Sequence, residues 1–301
     1  MMAQMTPELA ARVAAIGADN QSGATAIAAE AVLVLQEARL VDVSVVPVVA
    51  TALCKAQPAM ASVWNAAALS LRSDGEEALS RFGGLLRRAP DALARVAVEL
   101  LLAGREDGQT FSVVTVSASG SVRECLLLLS RRCRLRVLCA EGRPLLEGRV
   151  LATSLAAAGI TTTVSTDAAV TSLGAKFDAV LVGADAVAAG WFLNKCGTHQ
   201  VVEVAATHGI PAYVAASRDK FVDPMLARML VPTGGTDAEV WAEHPPEVEV
   251  ANPYFERVPV QSLVGVITDA GLVGPGSLGD VAAGLVGQDD VGRLIGQLRR
   301  P

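Results

Sequence analysis

The sequence predicts an α/β protein in which a helical N-terminal domain, residues 1–106, precedes a parallel sheet domain, residues 107–301. Three observations predict it. The first part carries apolar residues at helical spacing and no strong strand signal. In the second part, short β-rich runs alternate with helical patterns, which is typical of βαβ units. These runs are apolar throughout, as expected for strands covered on both faces.

The helical part begins at Thr6-Pro7, because proline is favoured at the first position of a helix. A second helical pattern follows Gly23. The last one reads DALARVAVELLLAG, with Asp91 as the expected N-cap and Gly104 as the expected C-cap.

The sheet part contains five strand patterns, each followed by a helical pattern or a polar loop. They read FSVVTV, RLRVLCA, ITTTVST, FDAVLVGAD and IPAYVAA. Ligands of parallel sheets bind at the carboxyl ends of the strands. The loops expected to form a site are therefore 117–121, 141–144, 167–170, 183–198 and 216–224.

Composition and charge exclude several classes of protein. The chain has 301 residues, of which 51% are hydrophobic and 19% charged, and this composition is typical of a globular protein. A net charge of -6 gives no broad electrostatic reason to bind nucleic acid directly. No apolar run reaches the roughly 18 residues of a membrane span, and no secretory signal is recognised. The five cysteines form no CxxC pair, which fits reduced thiols and a cytoplasmic location.

The turn after the first strand is rich in small hydroxyl residues. It contains Ser117, Ser119, Gly120 and Ser121. A helix that begins there would direct free N–H groups and its positive dipole end at the turn, where they could bind an anion. The alternative is that one serine caps the helix and the others have no ligand.

A second polar group follows the fourth strand. Asp185 ends a strand that has no polar side chain after Asp178, so we expect a partly desolvated carboxyl group with a raised pKa. Asn194 and Lys195 follow nine residues later. Together they could converge on a phosphorylated substrate. The alternative is an aspartate that caps a helix and a lysine that pairs with it.

Other candidates are weaker. Glu141 and Arg143 follow a strand, and Arg218 and Lys220 follow another, near the expected cleft. The sequence has no GxGxxG after a strand and no GxxxxGK[ST], so neither a dinucleotide nor a P-loop site is predicted. The three histidines have no metal-like spacing to each other. We therefore expect no cofactor and no metal.

Several segments together resemble a known family. They read EGRPLLEGR, VSTDAAV, GADAVAAGWFLNKCGT, SRDKF and NPYFERVP followed by ITDAG, in that order. They are similar to the family that joins the alpha, beta and delta subunits of translation initiation factor 2B to isomerases of methylthioribose-1-phosphate and ribose-1,5-bisphosphate. The resemblance covers roughly residues 12–273. It implies a Rossmann-like C-terminal domain, dimers or higher assemblies, and a translation initiation factor as a candidate partner.

The resemblance also implies site residues, and the sequence departs from them at several positions. Asp185 matches the family's aspartate, and Asn194 and Lys195 match its Asn-Lys pair. The isomerases carry a catalytic cysteine where this chain has Ser117. A serine hydroxyl is a far weaker acid than a thiol and needs an adjacent base.

Two arginines of the isomerases, expected to hold phosphate, are replaced by Ser22 and Gln57. Losing them removes bidentate phosphate contacts, which are among the stronger hydrogen bonds available. The isomerase chemistry is therefore less well supported by the sequence than a binding pocket for a phosphorylated ligand.

Two functions follow from these residues. The first is a regulatory or assembly-forming protein, like the initiation factor subunits, that binds a sugar phosphate or nucleotide in the cleft. The alternative is an aldose–ketose sugar-phosphate isomerase, in which Asp185 moves the proton and Ser117 replaces the cysteine. Lys195 and Asn194 would steady the developing enolate, and the 117–121 turn would hold phosphate. Arg143 and Lys220 are further candidate ligand-binding residues.

Overall fold

The computed structural model describes residues 4–19, 22–106, 108–174 and 176–299. Five helices form the N-terminal part, as predicted. Thr6 caps the first of them by accepting a hydrogen bond from the Leu9 amide at 3.3 Å, and Pro7 occupies its first position. The helices are α1 (Pro7–Ala18), α2 (Ala24–Val41), α3 (Val46–Ala56), α4 (Ala61–Ser70) and α5 (Gly75–Leu101).

Helix α5 runs unbroken for 27 residues, so the expected N-cap at Asp91 is wrong. Pro90 lies inside the helix, although proline removes one hydrogen bond there. Packing on both sides of Pro90 explains why the helix continues. Leu79 belongs to the core of the N-terminal helices, whereas Leu93 and Ala97 belong to a core formed with the sheet. The C-cap is Leu102, so the expected C-cap at Gly104 is wrong by two residues, although Gly104 has the left-handed φ of 74° that glycine favours just past a helix.

The second part is built on a seven-stranded sheet. Its strands are β1 (Thr110–Val116), β2 (Arg134–Ala140), β3 (Thr161–Ser165), β4 (Ala179–Val182), β7 (Ala212–Ala215), β9 (Gly265–Thr268) and β10 (Gly271–Val273). They lie in the order β10-β9-β7-β4-β1-β2-β3. Every pairing is parallel except that of β10 with β9, which confirms the predicted fold class.

Burial follows the position of each strand in the sheet. The central strand β4 is buried along its whole length, as predicted, and so is β9, which lies inside the edge strand β10. The edge strand β3 is mostly exposed, which corrects the expectation that all strands are covered on both faces. Its threonines tolerate this exposure, whereas the aliphatic side chains of the centre would not.

A second sheet of three antiparallel strands, in the order β5-β6-β8, lies beside the first. Its strands are β5 (Ala186–Val187), β6 (Trp191–Lys195) and β8 (Phe255–Pro259). The remaining helices are α6 (Gly120–Leu129), α7 (Glu147–Ala157), α8 (Val170–Gly174), α9 (Thr198–Thr207), α10 (Pro224–Ala227), α11 (Asp237–Trp241), α12 (Leu278–Leu285) and α13 (Gln288–Leu298).

The C-terminal helix α13 returns to the N-terminal helices. Its Leu294 and Ile295 belong to the same hydrophobic core as Val49 and Leu53 of α3. The division into domains at 106/107 stays a prediction, and Asp107 lies outside the described residues. The packing nevertheless crosses that line through both α5 and α13.

The five cysteines are free thiols, and four of them are buried. Among the described residues, no helix is long and apolar enough to cross a membrane.

Candidate functional site

Three neighbouring strands bring the candidate residues to one edge of the sheet. β4 lies between β1 and β7, so the carboxyl ends of all three meet at the centre of this edge. The loop after β1 carries the serine turn, the loop after β4 carries Asp185, and the loop after β7 carries Lys220. This is where an open parallel sheet binds its ligand.

The serine turn changes the chain direction sharply. Ser117 has a φ of 65°, a left-handed conformation that non-glycine residues adopt at a cost of about 1–2 kcal/mol. Helix α6 begins at Gly120, and the Ser119 hydroxyl accepts from the Val122 amide at 3.4 Å. Ser119 therefore caps the helix, as the alternative interpretation proposed, through a long hydrogen bond. Ser121 is 5% exposed, and Gly120 faces solvent.

Gly183 lets the serine turn approach strand β4. A Cβ atom on Gly183 would lie 2.5 Å from both the Cβ and Oγ atoms of Ser119. Real Cβ atoms do not come this close to other heavy atoms, so only glycine allows the two loops to meet.

The Gly183→Ala variant should therefore displace the serine turn. We expect its affinity for inorganic phosphate, measured by calorimetry, to fall about tenfold or more, equivalent to at least about 1.4 kcal/mol. Gly190→Ala is the matched control, because a Cβ there has no neighbour within 4 Å. Unchanged phosphate affinity in a folded Gly183→Ala protein would show that the turn is not the anion site.

Asp185 follows β4 at the junction with the small sheet. Its amide donates to the Leu193 carbonyl at 2.9 Å, which places it beside Asn194 on β6. Burial raises the pKa of the Asp185 carboxyl group, and the Lys220 ammonium opposes this rise. Among the described residues, none forms a hydrogen bond with the Asp185 carboxylate. Asp185 does not cap a helix, so the structural alternative for this residue does not hold.

Lys220 lies in a short 3-10 turn, Arg218–Lys220, and is 4% exposed. Burial raises the pKa of both the Asp185 and the Asp219 carboxyl groups, and the Lys220 ammonium opposes each rise. Arg218 points away and forms an ion pair with Asp269 at 2.7 Å. Of the two cations in this loop, Lys220 is the one whose charge affects the pKa of Asp185.

Asn194 and Lys195 have partners within the protein. The Asn194 amide donates to the Thr198 hydroxyl at 2.9 Å. The Lys195 ammonium pairs with Glu147 at 2.8 Å and lies 4.9 Å from the centre of the Tyr254 ring. The lysine of the structural alternative therefore has a carboxylate partner, but that partner is Glu147 and not Asp185.

Glu147 is the site residue that sequence reasoning missed. It begins helix α7, where the helix dipole favours a carboxylate. One of its oxygens pairs with Lys195, whereas Oε2 is buried and has no hydrogen-bond partner among the described residues. Its signal was the second glutamate of EGRPLLEGR, but the sequence does not show that α7 would bring it to β6.

The pair formed by Glu147 and Lys195 should contribute strongly to stability. Lys195 is 2% exposed, so Glu147→Gln leaves a buried ammonium without its counter-charge and should lower the free energy of unfolding by about 3 kcal/mol. Glu124→Gln, which breaks the exposed pair with Arg123, should cost no more than about 1 kcal/mol. Urea denaturation of both variants checks this, and equal small losses would contradict it.

Arg143 is not directed at Asp185. Its side chain is exposed and donates to the Val240 carbonyl oxygen at 3.2 Å, while its amide donates to Asp167. Glu141 pairs with Arg149 at 2.6 Å. The structure thus brings together the serine turn, Asp185 and Lys220, with Asn194 and Lys195 beside them on β6, and it places Arg143 at the periphery.

The positions where the resemblance led us to expect phosphate-binding arginines have structural roles here. Gln57 is 8% exposed and donates to the Ile16 carbonyl at 2.6 Å. Ser22 is exposed next to the N-terminus of α2, and its amide donates to Asp19. Neither supplies a cation.

The structure defines an α/β protein with a helical N-terminal part, a mostly parallel sheet and a polar candidate site at the carboxyl edge of that sheet. Residues 20–275 match the profile of the initiation factor 2 subunit family. The chain belongs to this family, as the resemblance predicted.

Two relatives show what the chain is similar to. The methylthioribose-1-phosphate isomerase of Rhodopirellula baltica is 38% identical over 154 residues, which cover 46% of this chain and 43% of that protein. The ribose 1,5-bisphosphate isomerase of Archaeoglobus fulgidus is 29% identical over 239 residues, or 75% of each chain. The chain spans less than half the length of the first of these relatives.

A solved structure shares the fold. The translation initiation factor eIF-2B of Pyrococcus horikoshii superimposes with a TM-score of 0.76 and 24% identity, covering 89% of this chain and 98% of that one. At this identity the likeness establishes the fold alone.

Proposed function

We propose that the chain is an aldose–ketose isomerase that binds a sugar phosphate at the carboxyl edge of its sheet. The observation that carries this proposal is Asp185. It offers a carboxyl group with a raised pKa and no hydrogen bond from a described residue, beside a turn suited to phosphate. A carboxyl group of this kind suits proton transfer at neutral pH. Relatives named as sugar-phosphate isomerases support the same reaction class.

The proposed roles follow from position. The bond between C1 and the ring oxygen of the sugar breaks, and Asp185 takes the proton from C2 and returns it to C1. C2 becomes the ketone carbon, and its hydroxyl proton goes to the former ring oxygen. The reaction is redox-neutral within the substrate, so it needs no external oxidant and no cofactor. The Lys220 ammonium opposes the rise in the pKa of Asp185. Lys195 and Asn194 lie on the adjoining strand β6, and their ammonium and amide groups would stabilise the developing enolate. The start of α6 and its serines hold the phosphate.

A second candidate is a protein that binds the same ligands without turning them over. Ser117 favours it, because a hydroxyl stands where the resemblance implies a catalytic thiol, and no base is hydrogen-bonded to it among the described residues. Such a protein would be regulatory or assembly-forming, like the initiation factor 2B subunits. A homodimer or higher oligomer, an initiation factor partner and a cytoplasmic location stay predictions of both candidates.

Phosphorus NMR separates the two candidates. The purified chain is incubated with methylthioribose-1-phosphate and, separately, with ribose-1,5-bisphosphate. New phosphate resonances that grow with time indicate isomerisation. Broadened substrate resonances without conversion indicate binding alone, and unaltered spectra with both compounds rule out the proposed site for these ligands.

A further inference from the structure

Helix α4 is bonded to both loops that carry charged groups of the candidate site. The amide of Ala61, at its first position, donates to the Asp185 carbonyl oxygen at 3.0 Å. One turn later, the side-chain amide of Asn65 donates to the carbonyl oxygens of Asp219 and Phe221 at 2.7 and 2.8 Å. These two residues flank Lys220. One helix therefore fixes the segments of Asp185 and Lys220 relative to each other.

The contact is buried on both sides. Asn65 and Asp219 are each 0% exposed. The Asp219 carboxylate accepts from the Ser62 hydroxyl of α4 at 2.6 Å and from the Ser217 hydroxyl of its own loop. The Asn65 Oδ1 atom is buried and has no hydrogen-bond partner among the described residues. A buried amide oxygen without a partner is unfavourable, so the two hydrogen bonds from the nitrogen are the polar contacts that Asn65 gains in this position.

We propose that Asn65 is a positioning residue of the candidate site, which holds Lys220 where its ammonium acts on Asp185. This inference rests on the proposed function, because it concerns Asp185, the group proposed to transfer the proton. The interaction of two charges weakens as they separate. Anchoring the carbonyls on both sides of Lys220 limits how far the short turn, and with it the ammonium, can move from Asp185.

Few charged groups affect the electrostatic interaction between Asp185 and Lys220. Lys220 is the charged group that shifts the pKa of Asp185 and also that of Asp219, within the part of the chain that the structure describes. Arg218 is paired with Asp269 on the outer side of the turn. The polar groups on Asp219 are the hydroxyls of Ser62 and Ser217. Burial raises the pKa of Asp185, and the Lys220 ammonium opposes that rise. A retreat of Lys220 should therefore raise the Asp185 midpoint further.

The experiment follows the carbon-13 resonances of labelled aspartate carboxyl groups against pH in the full chain without ligand. Asp185→Asn assigns the resonance. Lys220→Met removes the ammonium and should raise the Asp185 midpoint by on the order of 1 pH unit. Asn65→Ala should produce about a third of that rise or more, because the freed turn lets the ammonium retreat.

A buried serine on the same helix provides the control. Ser70 is 0% exposed and donates to the Ala67 carbonyl oxygen at 2.7 Å, about one and a half turns beyond Asn65. Ser70→Ala should lower stability and leave the Asp185 midpoint unchanged. If Ser70→Ala raises the Asp185 midpoint as much as Asn65→Ala does, the effect comes from a general loosening of α4. That result would overturn the assignment to Asn65.

A folded Asn65→Ala protein with the wild-type midpoint also overturns the proposal. If Asn65→Ala does not fold, Asn65→Ser retains one donor and should give a smaller rise in the same direction. A wild-type Asp185 midpoint in Asn65→Ser would also overturn the proposal. Because the titration needs no ligand, absence of turnover contradicts the proposed function and leaves this test intact.

Discussion

Asp185→Asn should strongly slow the isomerisation of sugar phosphates while the protein stays folded and binds phosphate. The amide has nearly the same shape but cannot accept and return a proton. Loss of a general acid–base group lowers turnover by about 10²–10⁴-fold. Phosphorus NMR with the substrate that the wild type converts measures the rate, and circular dichroism checks the fold.

Asp178→Asn is the matched control, because Asp178 lies just before the opposite end of the same strand. Its carboxylate accepts from the Ser112 hydroxyl at 2.6 Å and from Arg105 at 2.9 Å. This variant should lose stability and keep turnover per folded molecule. If Asp185→Asn retains wild-type turnover, Asp185 does not carry the proton and the proposed mechanism is wrong.

Gly148→Ala should give the largest loss of stability of any variant considered. A Cβ on Gly148 would overlap the carbonyl oxygen of Ala140 and lie 2.9 Å from its carbonyl carbon. Both atoms are backbone of β2, so the clash cannot be relieved by turning a side chain. Helix α7 must move, at a cost of about 3 kcal/mol or more in the free energy of unfolding.

The same movement would draw Glu147 away from Lys195, because Glu147 precedes Gly148 on α7. Gly292→Ala on α13 is the control, since a Cβ there meets nothing within 4 Å. Alanine is favoured over glycine inside a helix, so this variant should be more stable by about 0.5–1 kcal/mol. Equal denaturation midpoints for both variants would contradict the steric argument.

The sequence could predict those candidate site residues that directly follow the strands of the sheet. Polar residues that follow apolar strands must lie at the carboxyl edge of a parallel sheet, and this rule selected the serine turn, Asp185 and Lys220. Their neighbours could not be predicted. Glu147 and Asn65 precede Lys195 and Lys220 by 48 and 155 residues, and no local pattern links them.

Arg143 shows the limit of the same rule. Its place just after β2 made it a candidate ligand-binding residue, yet its side chain lies against the Val240 carbonyl. A long side chain can turn in several directions from one backbone position, and the surrounding loops decide which direction it takes.

By itself, the sequence determined the fold class, the helical character of the N-terminal part and the edge of the sheet that carries Asp185, because these follow from hydrophobic periodicity within single elements. The tertiary structure alone decided that α5 continues through Pro90, that β3 is exposed and that Lys195 pairs with Glu147. Each of these depends on packing between residues far apart in the chain, and such packing overrides local preference.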